Sequence, residues 1–229
     1  PMLKYPCLVL DHDDTVVASE SNINYPFFCY ILKNFRPGAA ITLDEYTQDC
    51  FTIGFSEMCR RRFRFNEEEL VSEYQQWLAY IRTHIPPAYP GIREILHKQR
   101  SLGGKICVVS HSSAENITRD YRVHFDMEPD DIFGWDLPEA LRKPSPYPLE
   151  TILEKYSFRP EELLVVDDMR PGYEMAHACG VPIAFSGWCR KDFPEISSQM
   201  KSLCDFSFET VAELDTFLFG SLDKDGIIE

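Results

Sequence analysis

The chain has 229 residues, 44% of them hydrophobic and 26% charged, and a formal net charge of −14. Those proportions belong to an ordinary globular protein of one or two domains, and the acidic balance argues against non-specific nucleic-acid binding and against anionic membrane surfaces, both of which need basic surface. No stretch approaches the ~20 apolar residues of a membrane span, no signal-peptide core precedes the first acidic cluster, and the eight cysteines, with no C-x-x-C pair, fit a reducing cytoplasm better than a disulfide framework or a zinc site.

The apolar run Cys7–Leu10 predicts a buried strand that leads directly into Asp11-His12-Asp13-Asp14-Thr15. Asp11 and Asp13 are two apart, a spacing that lets both side chains point to one side. Close carboxylates repel unless a cation or a proton lies between them. Taken alone, the stretch reads equally well as an acidic turn or helix cap after a strand. The pattern then turns helical. Phe27, Phe28, Ile31, Leu32 and Phe35 share a face of a helix over 25–35, and Pro37-Gly38 ends it. Thr42-Leu43-Asp44-Glu45 is a capping box opening the next helix, and Thr52–Ser56 is a break. A short helix over 57–62 carries Arg60, Arg61 and Arg62. Asn66, with Glu69 three residues on, caps a helix whose apolar stripe is Leu70, Val71, Tyr74, Trp77, Leu78 and Ile81. Residues 16–85 hold no convincing strand and form a candidate helical domain, with Pro86-Pro87 and Pro90-Gly91 at its exit.

From Gly91 the pattern alternates. Helices are predicted over 92–100, 114–124, 148–156, 171–179 and 211–219, and strands over 105–110, 131–134, 162–168, 181–185 and 205–208, while Ser221–Glu229 reads as frayed. Alternating strands and helices make βαβ units. The fold class is therefore α/β: a Rossmann-like parallel sheet core with helices on both faces, formed by 1–15 and 86–229, and an inserted α-helical cap over 16–85. Three strands end on polar residues: Asp11 with Asp13, Ser110, and Asp167 with Asp168. In one parallel sheet these ends share an edge, where ligands bind. Carboxylates gathered there call for a cation, and an all-oxygen ligand set favours Mg²⁺.

Asp11-His12-Asp13-Asp14-Thr15, Val108-Val109-Ser110, Lys143-Pro144-Ser145-Pro146 and Val165-Val166-Asp167-Asp168 resemble, in order and spacing, the four motifs of the haloacid dehalogenase superfamily. The helical insert after the first motif is similar to that superfamily's C1 cap. The resemblance spans about residues 5–219 and implies roles. Asp11 would be the nucleophile, forming an aspartyl-phosphate. Asp13 would protonate the leaving oxygen and then take a proton from water. Ser110 would hydrogen-bond the phosphoryl group and Lys143 would offset its charge. Mg²⁺ would be bound by Asp168 and Asp11 and by the main-chain carbonyl of Asp13, with Asp167 beside them. His111 would face the substrate, as would Gly54 and Phe55 in a loop that resembles the family's cap loop.

The resemblance implies a Mg²⁺-dependent phosphatase acting on a small phosphorylated metabolite in the cytoplasm, as a monomer or weak homodimer, without nucleic-acid or membrane partners. A β-phosphoglucomutase-like phosphomutase shares every core motif, and a binding protein that kept the fold but lost turnover is the other alternative. A phosphonate hydrolase would need a cap lysine, and Lys33, the lone lysine between residues 16 and 90, lies on the first cap helix rather than near Gly54. A dehalogenase would not need Asp13. The chain departs from the family pattern in three places: Asp14 stands where glycine is usual, His12 where an apolar residue is usual, and Gly172 where many members carry a further acid. His12 is expected to pack beneath the cap. Arg60–Arg62 are expected to form an acid-paired or solvated face.

Overall fold

The computed structural model describes residues 2–220, so the fraying expected of Ser221–Glu229 lies outside the described residues. The chain divides into two compact units: one joins the chain up to Val17 with the chain from Ala88 on, and the other is Ala18–Pro87.

The Ala18–Pro87 unit opens with a π-helical turn at Glu20–Asn24 and continues with α1 (Tyr25–Phe35), α2 (Leu43–Thr52), α3 (Phe55–Phe63) and α4 (Glu67–Ile81). Both capping boxes form. The Thr42 hydroxyl accepts from the Glu45 amide and the Glu45 carboxylate from the Thr42 amide, and Asn66 and Glu69 repeat the exchange. Such caps satisfy helix-end amides that lack an intrahelical partner. Gly54 opens α3 at φ +86°, a conformation that favours glycine. The unit's core is aromatic: Phe28 packs against Tyr46, Phe55, Phe63 and Phe65. On α4, Val71 is exposed although the apolar stripe includes it. The buried face instead runs through Glu73 and Ile81, with Leu70 and Trp77 half-buried, because positions three and four apart share a helix face.

The other unit carries β1 (Cys7–Leu10), α5 (Ile92–Ser101), β2 (Lys105–Val109), α6 (Ala114–Phe125), β3 (Asp131–Phe133), α7 (Tyr147–Tyr156), β4 (Leu163–Asp167), α8 (Arg170–Ala178), β5 (Ile183–Ser186), α9 (Pro194–Leu203), β6 (Phe206–Phe208) and α10 (Val211–Phe219). Its strands form one sheet in the order β3-β2-β1-β4-β5-β6, every pairing parallel. Side chains alternate across it. Leu8, Leu10, Ile106, Val108, Leu164 and Val166 pack on one face with apolar residues of α5, α6 and α10. Cys7, Val9, Cys107, Val109, Leu163 and Val165 pack on the other with α7 and α8. This is the Rossmann-like α/β core with helices on both faces. Helix α9 went unpredicted because it buries only Ile196 and Met200, too few positions for a legible stripe. The boundary between units falls after Val17 and Pro87 rather than after Thr15 and Ile85, because Val16 and Val17 are fully buried in the sheet unit's core and Val17 bridges both Asp13 and Ala88. Among the described residues, no helix is long and apolar enough to cross a membrane.

Candidate active site

Strand β1 lies in the middle of the sheet, with β2 on one side and β4 on the other. The connections leave in opposite directions there, which opens a crevice at the carboxyl ends of the strands. Asp11 extends β1 by one residue, its amide donating to the Val166 carbonyl at 2.9 Å, and Ser110 extends β2, its amide donating to the Phe133 carbonyl at 2.9 Å. Asp167 closes β4, and Asp168 follows it. Asp11, Ser110, Asp167 and Asp168 are all buried. The carboxylates of Asp11, Asp167 and Asp168 each offer an oxygen within 4.8 Å of the others, whereas the Asp13 side chain is half-buried and outside that cluster.

Lys143 reaches in from the loop before α7 and is itself buried. Its ammonium donates to Asp11 Oδ1 at 2.9 Å, to Asp167 Oδ2 at 2.8 Å and to the Val109 carbonyl at 3.2 Å, so each of its protons has an acceptor. Burial alone would lower its pKa, but the Asp11 and Asp167 charges raise it above the ordinary lysine value. In return, although burial opposes it, the Lys143 ammonium holds the Asp11 carboxyl below the usual range. Asp167 has its second oxygen occupied as well: Oδ1 accepts from the amides of Asp168 at 2.7 Å and Met169 at 2.9 Å. Burial and the Asp11 charge nevertheless push Asp167 up to about 6. Burial likewise raises Asp168 well above an ordinary carboxyl, the nearby Arg190 offsetting only part of it.

Arg190 and Thr15 complete the cluster. The Arg190 guanidinium, 3% exposed, donates through Nη1 to Asp14 Oδ2 at 2.9 Å and through Nη2 to Asp168 Oδ2. The Thr15 hydroxyl lies 2.9 Å from Ser186 Oγ, 3.3 Å from Asp11 Oδ2 and 3.5 Å from Asp168 Oδ1. Counted at their formal charges, the carboxylates of Asp11, Asp14, Asp167 and Asp168 stand against the two cations Lys143 and Arg190, a formal surplus of two negative charges in a buried crevice. A divalent cation matches that residue of charge, and oxygen donors within 4.8 Å of one another suit a hard ion such as Mg²⁺.

The remaining predicted residues divide. Ser110 Oγ accepts from the Ser112 amide at 3.0 Å and keeps its own proton to donate. His111 is exposed, but its Nε2 donates to the Lys143 carbonyl at 2.9 Å and its ring meets Trp135 edge-on; close packing on that side and the Lys143 charge lower its pKa. His12 is buried in the sheet unit, with Nε2 2.8 Å from Asp120 on α6 and its ring stacked on Tyr121. Gly54 and Phe55 belong to the helical unit, where the Phe55 ring packs edge-on against Phe28. Arg60, Arg61 and Arg62 pair with Glu57, Glu67, Asp49 and Glu45, the acid-paired face expected. Thr15, Ser186 and above all Arg190 went unassigned in the sequence. The available signal was Asp14 itself, since an extra acid beside buried carboxylates requires a cation.

Several solved structures share the fold. The protein CbbY from Rhodobacter sphaeroides in complex with phosphate is 20% identical, with 93% of this chain and 96% of that one covered at a TM-score of 0.72. A CbbY variant in complex with xylulose-1,5-bisphosphate is 19% identical, with coverage of 93% and 96% and a TM-score of 0.72. A predicted phosphoglycolate phosphatase from Haemophilus somnus is 19% identical, with coverage of 95% and 99% and a TM-score of 0.72. No curated protein matches the chain. The family model for haloacid dehalogenase-like hydrolases matches residues 8–185, most of the chain and all four motif regions, and the chain belongs to that family.

Proposed function

We propose that the protein is a Mg²⁺-dependent phosphatase that hydrolyses a small phosphorylated metabolite through a covalent intermediate on Asp11. The observation that carries this is the meeting of Asp11, Lys143 and Asp168 at one strand-end crevice, with Lys143 2.9 Å from Asp11. An Asp11 carboxylate oxygen attacks phosphorus while the bond from phosphorus to the leaving alcohol breaks, and Asp13 gives that oxygen its proton. Water then attacks the acyl phosphate and gives a proton to Asp13, and the Asp11–phosphorus link breaks to release phosphate. Lys143 offsets the phosphoryl charge, and the Ser110 hydroxyl donates to a phosphoryl oxygen. When bound, Mg²⁺ supplies further positive charge against the phosphoryl oxygens. Asp11, Asp168 and the main-chain carbonyl of Asp13 would hold it. Asp167, with both oxygens already engaged, supports that shell.

His111, beside Lys143, is assigned to substrate contact, and Gly54 and Phe55 to substrate choice on the strength of the family resemblance. The helical unit is assigned as the cap. A cytoplasmic location suits the eight free thiols, which stay reduced there. The bound phosphate and bisphosphate of the CbbY structures fit a phosphorylated small molecule as substrate. The test is phosphate release from p-nitrophenyl phosphate by the wild type and by Asp11→Asn, with Mg²⁺ and with EDTA. Release is expected from the wild type with Mg²⁺ and in neither control. Turnover by Asp11→Asn, or turnover indifferent to EDTA, would refute the mechanism.

A further inference from the structure

Asp14 stands within the first motif where glycine is usual, yet it keeps a glycine-like backbone at φ +62°. Few residues with a Cβ adopt that angle, aspartate and asparagine most readily. The Asp14 carboxylate is also buried, at 5% exposure, where an uncompensated charge is costly. Arg190 meets it from the far end of the chain, the two arms of its guanidinium spanning Asp14 and Asp168. The planar fork of the guanidinium holds the two carboxylates in a fixed orientation relative to one another, which the point charge of a lysine does not.

The arginine is held in place from several sides. Its amide donates to the Gly187 carbonyl at 3.1 Å. Its carbonyl accepts from the Ser197 hydroxyl at 2.8 Å and from the Phe193 amide at 3.1 Å. In the same turn, the Trp188 indole donates to the Thr15 carbonyl at 3.1 Å, tying the Arg190 turn to the loop that carries Asp14.

We propose, resting on the functional reading above, that Asp14 and Arg190 are a paired insertion beside the metal-binding carboxylates. Arg190 is a positioning residue that fixes Asp168 by Oδ2 and leaves Oδ1, on the side of the Thr15 hydroxyl, outside the fork. Asp14 supplies the counter-charge that keeps the crevice at the two negative charges a divalent ion neutralises. Either residue alone mistunes the site, and together they leave its charge as it would be without them.

Mg²⁺ affinity, measured by calorimetry on the folded chain, separates this from a purely structural ion pair. Asp14→Asn keeps the shape and the backbone angle but removes one negative charge from beside Arg190 and Asp168, and Mg²⁺ binding should weaken on the order of tenfold. Adding Arg190→Gln to Asp14→Asn removes the surplus charge and should tighten binding again by about threefold or more relative to the single variant. Should Asp14→Asn not fold, Asp14→Gly makes the same charge change at an angle that suits glycine. Mg²⁺ binding by the Asp14 variant as tight as the wild type's, or a double variant no better than the single, overturns the inference. A wild-type chain that takes up no Mg²⁺ instead fails the functional reading on which it rests.

Discussion

Gly172 on α8 lies against the Asp167 carboxylate: a Cβ built on Gly172 would come within 2.1 Å of Asp167 Oδ2 and 2.4 Å of its Cγ. The oxygen crowded by that Cβ is the one that accepts from Lys143. The absence of an acid at this position is therefore a packing requirement, since the space above Gly172 is filled by an acid already in use. Gly172→Ala should push Asp167 off Lys143. Overpacking of this kind costs about 1–3 kcal/mol, so urea unfolding should show lost stability together with lost phosphate release. Unchanged stability and turnover would mean that Asp167 has room to move.

The strand-end acids were legible because a buried parallel strand is a continuous apolar run, and a charge that interrupts it stands out. Cys7–Leu10 into Asp11 and Leu163–Val166 into Asp167 are both of this kind. The capping boxes at Thr42 and Asn66 were legible because they are local, three residues from end to end. The Arg190 contact with Asp14 links positions 14 and 190, a separation at which sequence carries no signal of proximity. The contact of His12 with Asp120 on α6 is of the same long-range kind.

Lys143 sits between Asp11 and Asp167 at 2.9 and 2.8 Å, 4% exposed. Lys143→Met keeps most of the apolar stem but leaves two buried carboxylates facing each other. Breaking a buried pair by removing one partner costs about 3–5 kcal/mol. A loss of that order in urea unfolding is expected, together with loss of phosphate release. A variant as stable as the wild type would show that the ammonium contributes little to holding these carboxylates.

Glu73 is buried on α4 in the helical unit, beside Tyr46 and Cys59, whose pKa values its charge helps to raise. Burial pushes its carboxyl from an ordinary 4.5 up to about 8. Between those values the folded chain keeps a proton that the unfolded chain has released, so stability falls as pH rises through the window. The Glu73 contribution is fully present below 4.5 and gone above about 8. Glu73→Gln stays neutral at every pH. Its Tm should match the wild type at about pH 5 and exceed it at about pH 9. Parallel pH profiles for the two proteins would place the Glu73 carboxylate in contact with water.

On the proposed mechanism, hydrolysis and phosphoryl transfer would both pass through phosphorylated Asp11 and part at the next acceptor. A mutase must exclude water and hold a sugar phosphate by both ends while the intermediate turns over, which calls for hydrogen-bonding or cationic side chains in the insert. The stretch that resembles the cap loop, Phe51-Thr52-Ile53-Gly54-Phe55, is mainly apolar. Phe51 is buried, and the Phe55 ring is spent on Phe28 within the helical unit's own core. The neighbouring arginines 60–62 are each engaged by carboxylates of that unit. Hydrolysis should therefore dominate. With β-glucose 1-phosphate, Mg²⁺ and a trace of the bisphosphate, the expected outcome is free phosphate or no reaction. Fast conversion to glucose 6-phosphate would refute it.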